Sequence, residues 1–443
     1  MANKKYTLNF TGDVMLGRLI DQLYPTHVPS PNDERHIRVF QARHASRLGF
    51  RNYTFESPWG TTLPLFASEG DLNLINLETS ITTHPIPWPD KAFNYRMHPA
   101  NAIPILAAAK IDFACVANNH TLDFGTEGLV ETVWTLKQHS ATPAAAAPAG
   151  KGQYRVAFAG AGETTQEAFA PAVLELPRKS QTQQHAMTYG DRPGALSAEV
   201  LDSATPRHLV HVYAATDHPH AWSDIPTFHF VDYSLKAKEH LKRLISKHSP
   251  APETRSTESS PALKIFSFHW GPNYSWHPAP EIRQMAHFLI FECGIDIVHG
   301  HSSHHVQGIE CPAPGKLIIY GCGDFVDDYA LNEEFRNDLG ALYRVIVQEQ
   351  PEEGRVRPVK PVRLEIFPTR ITHFQAHLLQ HHLEIGGEGG SGDHDWVVDT
   401  ITKLTGELMG SECGCGYGHD DMTGKDIVRP KLGDRGQLII DLV

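Results

Sequence analysis

Five apolar, β-rich segments of this chain each run into side chains that bind metals or move protons. The first ends in Thr11-Gly12-Asp13, the second in Glu78, the third in Asn118-Asn119-His120 and the fourth in His269-Trp270-Gly271. The fifth ends in His299-Gly300-His301-Ser302-Ser303-His304-His305. Carboxylate, amide and imidazole donors in this mixture suit divalent Mn, Zn or Fe. One carboxylate after a strand is ordinary loop polarity, and Asp13 alone reads equally well as a turn residue before a helix. Five strand ends delivering one donor set read as a shared site for a divalent metal. No cysteine belongs to the set, which argues against a thiolate-type structural zinc cage.

The metal-ligand candidates are therefore Asp13, Glu78, Asn119, His269, His301 and His304. Gly300 is expected to turn the chain sharply out of its strand, so that His301 and His304 face one centre. His299 and His305 are expected behind the ligands or at the surface, and His218, His220, His381 and His382 in plain surface contexts. His120 is the catalytic candidate, because an imidazole titrates near working pH and can act as general acid or base. Asp123, three residues on, would orient that imidazole, or else serve as a carboxylate favoured by a helix N-terminus. Arg18 is a candidate for gripping an anionic substrate group bidentately, with a solvated helix-start arginine as the alternative. Arg96, within Tyr95-Arg96-Met97-His98-Pro99, is a second substrate-binding candidate.

These side chains need a scaffold that gathers strand ends. Strands are expected at 6–10, 72–77, 112–117, 155–159, 208–214, 263–268, 295–298, 317–320 and 342–347, with later ones at 362–367 and 437–443. Helices are expected at 101–110, 127–139, 235–247 and 281–292. The alternation is that of βαβ units and an α/β fold. In a mostly parallel sheet the carboxyl ends of the strands share one edge, where α/β proteins place their ligands. Three segments interrupt the pattern. Residues 142–150 are Pro/Ala-rich, residues 249–262 are nearly free of apolar side chains, and residues 386–393 (GGEGGSGD) read as a flexible linker. The chain thus divides into a main domain over 1–350, with a poorly patterned insert around 140–262, and a C-terminal extension over 351–443.

A hydrophobic fraction of 41% in 443 residues is enough for a sizeable core. The formal charge of −12 lacks the basic footprint that nucleic-acid binding requires. No apolar leader precedes the first strand and no run spans a bilayer, so a cytoplasmic protein with reduced cysteines is expected. Cys413-Gly414-Cys415 lacks CxxC spacing and reads as part of a glycine-rich surface loop.

The blocks Thr-Gly-Asp-Val-Met-Leu-Gly-Arg (11–18), Asn-Leu-Glu-Thr (76–79) and Ala-Asn-Asn-His-Thr-Leu-Asp-Phe-Gly (117–125) occur in a specific order. They are followed by Phe-His-Trp-Gly (268–271), His-Gly-His-Ser-Ser-His-His (299–305) and Tyr-Gly-Cys-Gly-Asp-Phe (320–325). In these blocks the sequence resembles the CapA-type family of poly-γ-glutamate capsule synthesis proteins. The resemblance implies a calcineurin-like, metallophosphoesterase-like sandwich of two mixed β-sheets flanked by α-helices. It further implies a centre of one or two metals along the strand ends, with Glu78 bridging two metals, Asn119, His269 and His301 completing one site, and Asp13 and His304 serving the other. His120 would be the acid–base residue. The chain departs from the phosphoesterase pattern where Asp-x-His would place a histidine at 15 and Met15 stands instead, so one site has fewer ligands.

Three functions follow as alternatives. The first is a metal-dependent hydrolase of amide or phosphoester bonds in a peptide-like, polyglutamate-like or other anionic substrate. The second is a metal-dependent peptide Cα epimerase, with the ion acidifying Cα–H and His120 exchanging the proton. The third is a non-catalytic accessory protein of poly-γ-glutamate or capsule biosynthesis.

Overall fold

The computed structural model describes residues 4–44, 53–138, 154–177, 207–248, 260–351, 358–381, 391–410 and 430–442. Two mixed sheets stack face to face. The larger includes strands β1 (Lys5–Val14), β2 (Leu72–Leu77) and β3 (Phe113–Cys115), which pair in parallel, with Ala157–Ala159 beyond β3. On the other side of β1 lie Leu339–Glu349, Val359–Thr372, Leu438–Asp441 and Lys431–Leu432, all antiparallel to their neighbours. The smaller sheet runs Ala172–Leu176, His208–Thr216, β4 (Leu263–His269), β5 (Ile297–His301), Leu317–Ile319 and Ile309–Glu310. Its four central strands are parallel. A short strand, β6 (Asp324–Val326), adds in parallel beside the end of β1.

The layering follows from the two-residue period of a strand. Leu8 and Phe10 of β1, Leu74 of β2 and Phe113 of β3 meet Val210, Val212, Ile265 and Ile297 between the sheets. The alternate residues face outward. Ile75, Leu77, Ala114 and Val116 pack under the helices Pro99–Ala108 and Gly125–Gln138. Phe266, Phe268 and Val298 pack under Leu235–Lys247 and Pro280–Phe291. Strands buried on both faces read as unbroken apolar runs, which is why the sequence marks them clearly.

Three expectations change. Asp13, His269 and His301 are not in loops after their strands but are strand residues, because the ladders continue through Asp13↔Asn76 and His301↔His269. Gly300 does not make the turn: it lies inside β5, where a Cβ would come within 2.3 Å of the Tyr320 carbonyl oxygen. The turn is made afterwards by Ser302 and His304, with φ of 98° and 60°. Residues 391–393, expected in a flexible linker, open the helix Ser391–Gly410, whose Val397 and Ile401 join the core between the sheets. Residues beyond 350 thus complete the large sheet and cover it. Helix Pro31–Arg43, absent from the expectations, buries only Ile37, so its sequence carries a weak apolar stripe. Segments 142–150, 249–259 and 386–390, and the Cys413–Cys415 stretch, lie outside the described residues.

Candidate metal centre

The inter-sheet layer changes from apolar to polar towards the carboxyl ends of its strands. Along β2 the inward positions read Leu74, Asn76 and then Glu78; beyond β3, Cys115 and Ala117 give way to Asn119. Ile265, Ser267 and His269 follow one another on β4, as do Ile297, His299 and His301 on β5. On β1 strict alternation would turn Asp13 outward. An irregularity between Phe10 and Asp13 in the pairing with β2 resets the register, a bulge that re-aims the side chain. One physical layer thus begins as core and ends as site.

Acidic, amide and imidazole side chains meet there. Asp13, His269 and His301 offer ligand atoms that lie within 4.8 Å of one another, and so do Asp13, His304 and Asp324. Asp13 is common to both groups. His269 Nδ1 lies 3.0 Å from His301 Nδ1, and His269 Nε2 lies 3.1 Å from Asn119 Oδ1. His304 Nδ1 is 2.7 Å from Asp324 Oδ1 and 3.5 Å from Asp13 Oδ2. The Asn76 amide donates to Asp13 Oδ1 at 2.7 Å, and the Ser302 N–H to Asp13 Oδ2 at 3.3 Å. Behind the imidazoles, Ser267 Oγ lies 3.1 Å from His299 Nδ1 and 3.0 Å from His301 Nε2, while His299 Nε2–H donates to the Thr11 carbonyl at 2.8 Å. His299 is buried, as is His305; neither is a surface residue.

The donor set fits a cation. Glu78 is fully buried, yet neither carboxylate oxygen has a hydrogen-bond donor, and Asp324 Oδ2 has none either. Burial, reinforced by Asp13 and Asp324, drives the Glu78 carboxyl well above the usual carboxylate range. Burial also raises Asp13, against the attraction of His304, and raises Asp324 strongly. The imidazoles of His269 and His301 are pushed well below their usual value by burial and by neighbouring histidines. Neutral imidazoles have free lone pairs, and crowded buried carboxylates need positive charge. A divalent ion would meet both needs: Asp13, His269 and His301 could hold one, Asp13, His304 and Asp324 could hold another, and Glu78 and Asn119 stand beside them.

His120 stands at the rim of this cluster. Its Nδ1 is 2.6 Å from Asp123 Oδ2, and its Nε2 is 3.8 Å from Glu78 Oε1. The Tyr95 ring stacks on the imidazole at 3.8 Å, and the Tyr95 N–H donates to Asp123 Oδ2 at 2.5 Å. Lys91 ion-pairs with Asp123 and donates to the Asn119 carbonyl at 2.5 Å. Burial pushes His120 down to about 4, with Asp123 opposing and Lys91 assisting. Asp123 thus holds the imidazole instead of simply facing a helix terminus.

The two arginines part company. Arg18 lies over the Tyr95 ring at 5.2 Å and pairs with Asp328 at 3.5 Å, close to His120's stacking partner. Arg96 donates to the carbonyls of His84 at 2.5 Å and Pro29 at 3.1 Å, so its guanidinium is engaged in bracing loops.

Sequence reasoning overlooked Asp324, Lys91 and the pair Asp217–His218. Asp324 carried a signal: Gly323-Asp324 after a strand repeats Gly12-Asp13. His218 was expected at the surface, but Thr216 is the register partner of His269, so the next residues land at the site. The His218 ring lies 5.0 Å from that of His269, and its Nδ1 is 2.5 Å from Asp217 Oδ1. Lys91 belongs to a loop with no periodicity, and nothing in its spacing points to His120. Met15 is buried, and its Sδ accepts the Gly17 N–H at 3.2 Å.

Comparison with known proteins agrees with this architecture. The family model described as "Bacterial capsule synthesis protein PGA_cap" matches residues 7–329. Two Mycobacterium tuberculosis proteins, from strains CDC 1551 and H37Rv, are named probable polyglutamine synthesis accessory proteins. Each is 32% identical over 413 residues, which is 90% of this chain and 91% of theirs. The capsule biosynthesis protein CapA of Bacillus anthracis is 21% identical over 373 residues, 81% of this chain and 70% of that protein. Among the described residues no helix is long and apolar enough to cross a membrane. The matched span contains every candidate residue of the site, and the chain belongs to the PGA_cap family of bacterial capsule synthesis proteins.

Proposed function

We propose that this chain is a metal-dependent hydrolase that cleaves amide or phosphoester bonds in a peptide-like or polyglutamate-like substrate of capsule or polyglutamate synthesis. The observation that carries it is Glu78: a fully buried carboxylate without a hydrogen-bond donor, beside Asp13 and Asp324 and with His120 Nε2 3.8 Å away. A bound divalent ion supplies Lewis-acid polarisation of the substrate oxygen. The rest is done by the chain. Asn76 and the Ser302 N–H hold Asp13 in place. Asp123 fixes the His120 tautomer through Nδ1, leaving Nε2 on the Glu78 side to move a proton. Lys91 holds Asp123, and Arg18 offers charge for an anionic group of the substrate.

The same placement of ion and imidazole also serves proton exchange at a peptide Cα, which is the epimerase reading. Incubating candidate peptides in deuterated water separates the two: cleavage supports hydrolysis, whereas deuterium at Cα without cleavage rejects it. The names of the M. tuberculosis relatives favour a third reading, an accessory role without catalysis. A His120→Ala variant that equals wild type in every assay of the pathway supports that reading.

A further inference from the structure

A second group of metal-capable side chains lies outside the family-matched span, on the C-terminal part of the chain. His381 follows strand Gln375–Leu378, and His394 and Asp395 are the fourth and fifth residues of helix Ser391–Gly410. Their ligand atoms lie within 4.8 Å of one another. His394 Nδ1 is 3.0 Å from Asp395 Oδ1, and His381 Nε2 is 3.9 Å from the same oxygen. These separations bracket the edge of a tetrahedron with bonds of about 2.0–2.1 Å, which is roughly 3.3 Å.

The hydrogen bonding of His394 fixes which of its nitrogens is free. Its Nε2 is 2.6 Å from the Gly436 carbonyl oxygen, which can only accept, so Nε2 carries the proton. In the neutral ring Nδ1 is then a bare lone pair, and it faces a carboxylate oxygen. Two acceptors at 3.0 Å require a cation or a second proton between them. An imidazole that donates its far N–H to a backbone carbonyl is also the usual arrangement behind a metal-bound histidine. The approach is built in: a Cβ on Gly436, whose φ is 77°, would meet the Cβ of His381 at 2.9 Å and His394 Nε2 at 3.2 Å. The neighbouring Asp393 is anchored by Arg370 at 2.7 Å and Arg336 at 3.0 Å, which holds the first turn of the helix in position.

We propose that His381, His394 and Asp395 form a second, structural site for a divalent ion of the zinc type. The ion clips the helix Ser391–Gly410 to the end of strand Gln375–Leu378 and to the turn at Gly436. Imidazole and carboxylate donors select such a borderline ion over magnesium or calcium. An ion that binds only the folded chain raises its stability by mass action. The proposal does not depend on the reaction performed at the Asp13 cluster.

The test uses the full chain, stripped with a chelator and titrated with Zn2+ at pH 7.5, as wild type, His381→Ala and Asp395→Asn. The Asp395 side chain is 54% exposed, so Asp395→Asn leaves the core untouched. The Asp13 cluster is common to all three proteins and cancels from the difference. Wild type is expected to take up one more Zn2+ per chain than either variant, and to gain a larger rise in Tm on adding Zn2+. Equal uptake and equal Tm shifts in the three proteins overturn the proposal and leave His394–Asp395 as a proton-bridged ion pair.

Discussion

Asp13 and Asp324 are register partners on adjacent parallel strands, and His304 Nδ1 stands 3.5 Å from the first carboxylate and 2.7 Å from the second. With two buried carboxylates on one imidazole, Asp324 could join Asp13 and His304 in holding an ion. Asp324→Asn is therefore expected to weaken metal binding at that group by about 10- to 100-fold, the usual cost of losing a partner of a metal-bound histidine. Competition against a chromophoric chelator measures it. Unchanged affinity would show that Asp324 only packs there.

In the proposed function His120 moves a proton and does not hold an ion. His120→Ala should lower turnover by roughly 10²–10⁴-fold while metal content stays at the wild-type level. Asp123→Asn should produce a smaller loss, again with metal retained, because it frees the imidazole without removing it. Elemental analysis beside steady-state kinetics reads both quantities. Loss of metal in His120→Ala would reassign it as a ligand.

Gly300 tests the packing behind the site. A methyl at this position meets the carbonyl oxygens of Tyr320 and Ile319 at 2.3 and 2.6 Å, and Trp270 Nε1 at 2.7 Å. Gly300→Ala should destabilise the fold by about 1–3 kcal/mol, the usual cost of overpacking, and should displace His301 enough to reduce metal binding. Urea unfolding and metal titration of the variant check the two effects separately.

Buried neutral histidines make the fold acid-sensitive, and His229 shows the effect away from the Asp13 cluster. It is fully buried, with Nδ1 2.6 Å from the Ala214 carbonyl, and burial pushes it from 6.5 down to about 4. The unfolded chain therefore binds this proton first. The stability contribution is complete above about pH 6.5 and is lost as pH falls towards 4. Between pH 7.5 and 5.0 the loss from this group is roughly 2 kcal/mol. Urea unfolding at the two pH values should show a smaller drop for His229→Phe than for wild type. Equal drops would mean that His229 is already protonated in the fold.

Much of this was legible in the sequence, for a reason visible in β4 and β5. Ile265-Phe266-Ser267-Phe268-His269 and Ile297-Val298-His299-Gly300-His301 are buried on both faces, so their apolar runs stand out and their ends are marked by imidazoles. The sandwich and the gathering of Asp13, Glu78, Asn119, His269, His301 and His304 could be read from such runs and the ordered blocks. What could not be read depends on contacts distant in sequence. Lys91 reaches Asp123 from a loop, and Arg96 is drawn away by the carbonyls of His84 and Pro29. The bulge that turns Asp13 inward shows only in the pairing of β1 with β2. Glycine permits a turn at position 300, whereas in the fold Gly300 serves close approach to Tyr320.

The most direct measurement of the central claim is elemental analysis of wild type purified without chelators, with Asp13→Ala and His269→Ala prepared identically. A metal centre predicts one or two equivalents of Mn, Zn or Fe at the Asp13 cluster, beyond any ion at His381–Asp395, with a clear loss in both variants that keep their fold. Wild type without such stoichiometric metal, or folded variants that hold as much as wild type, would contradict it.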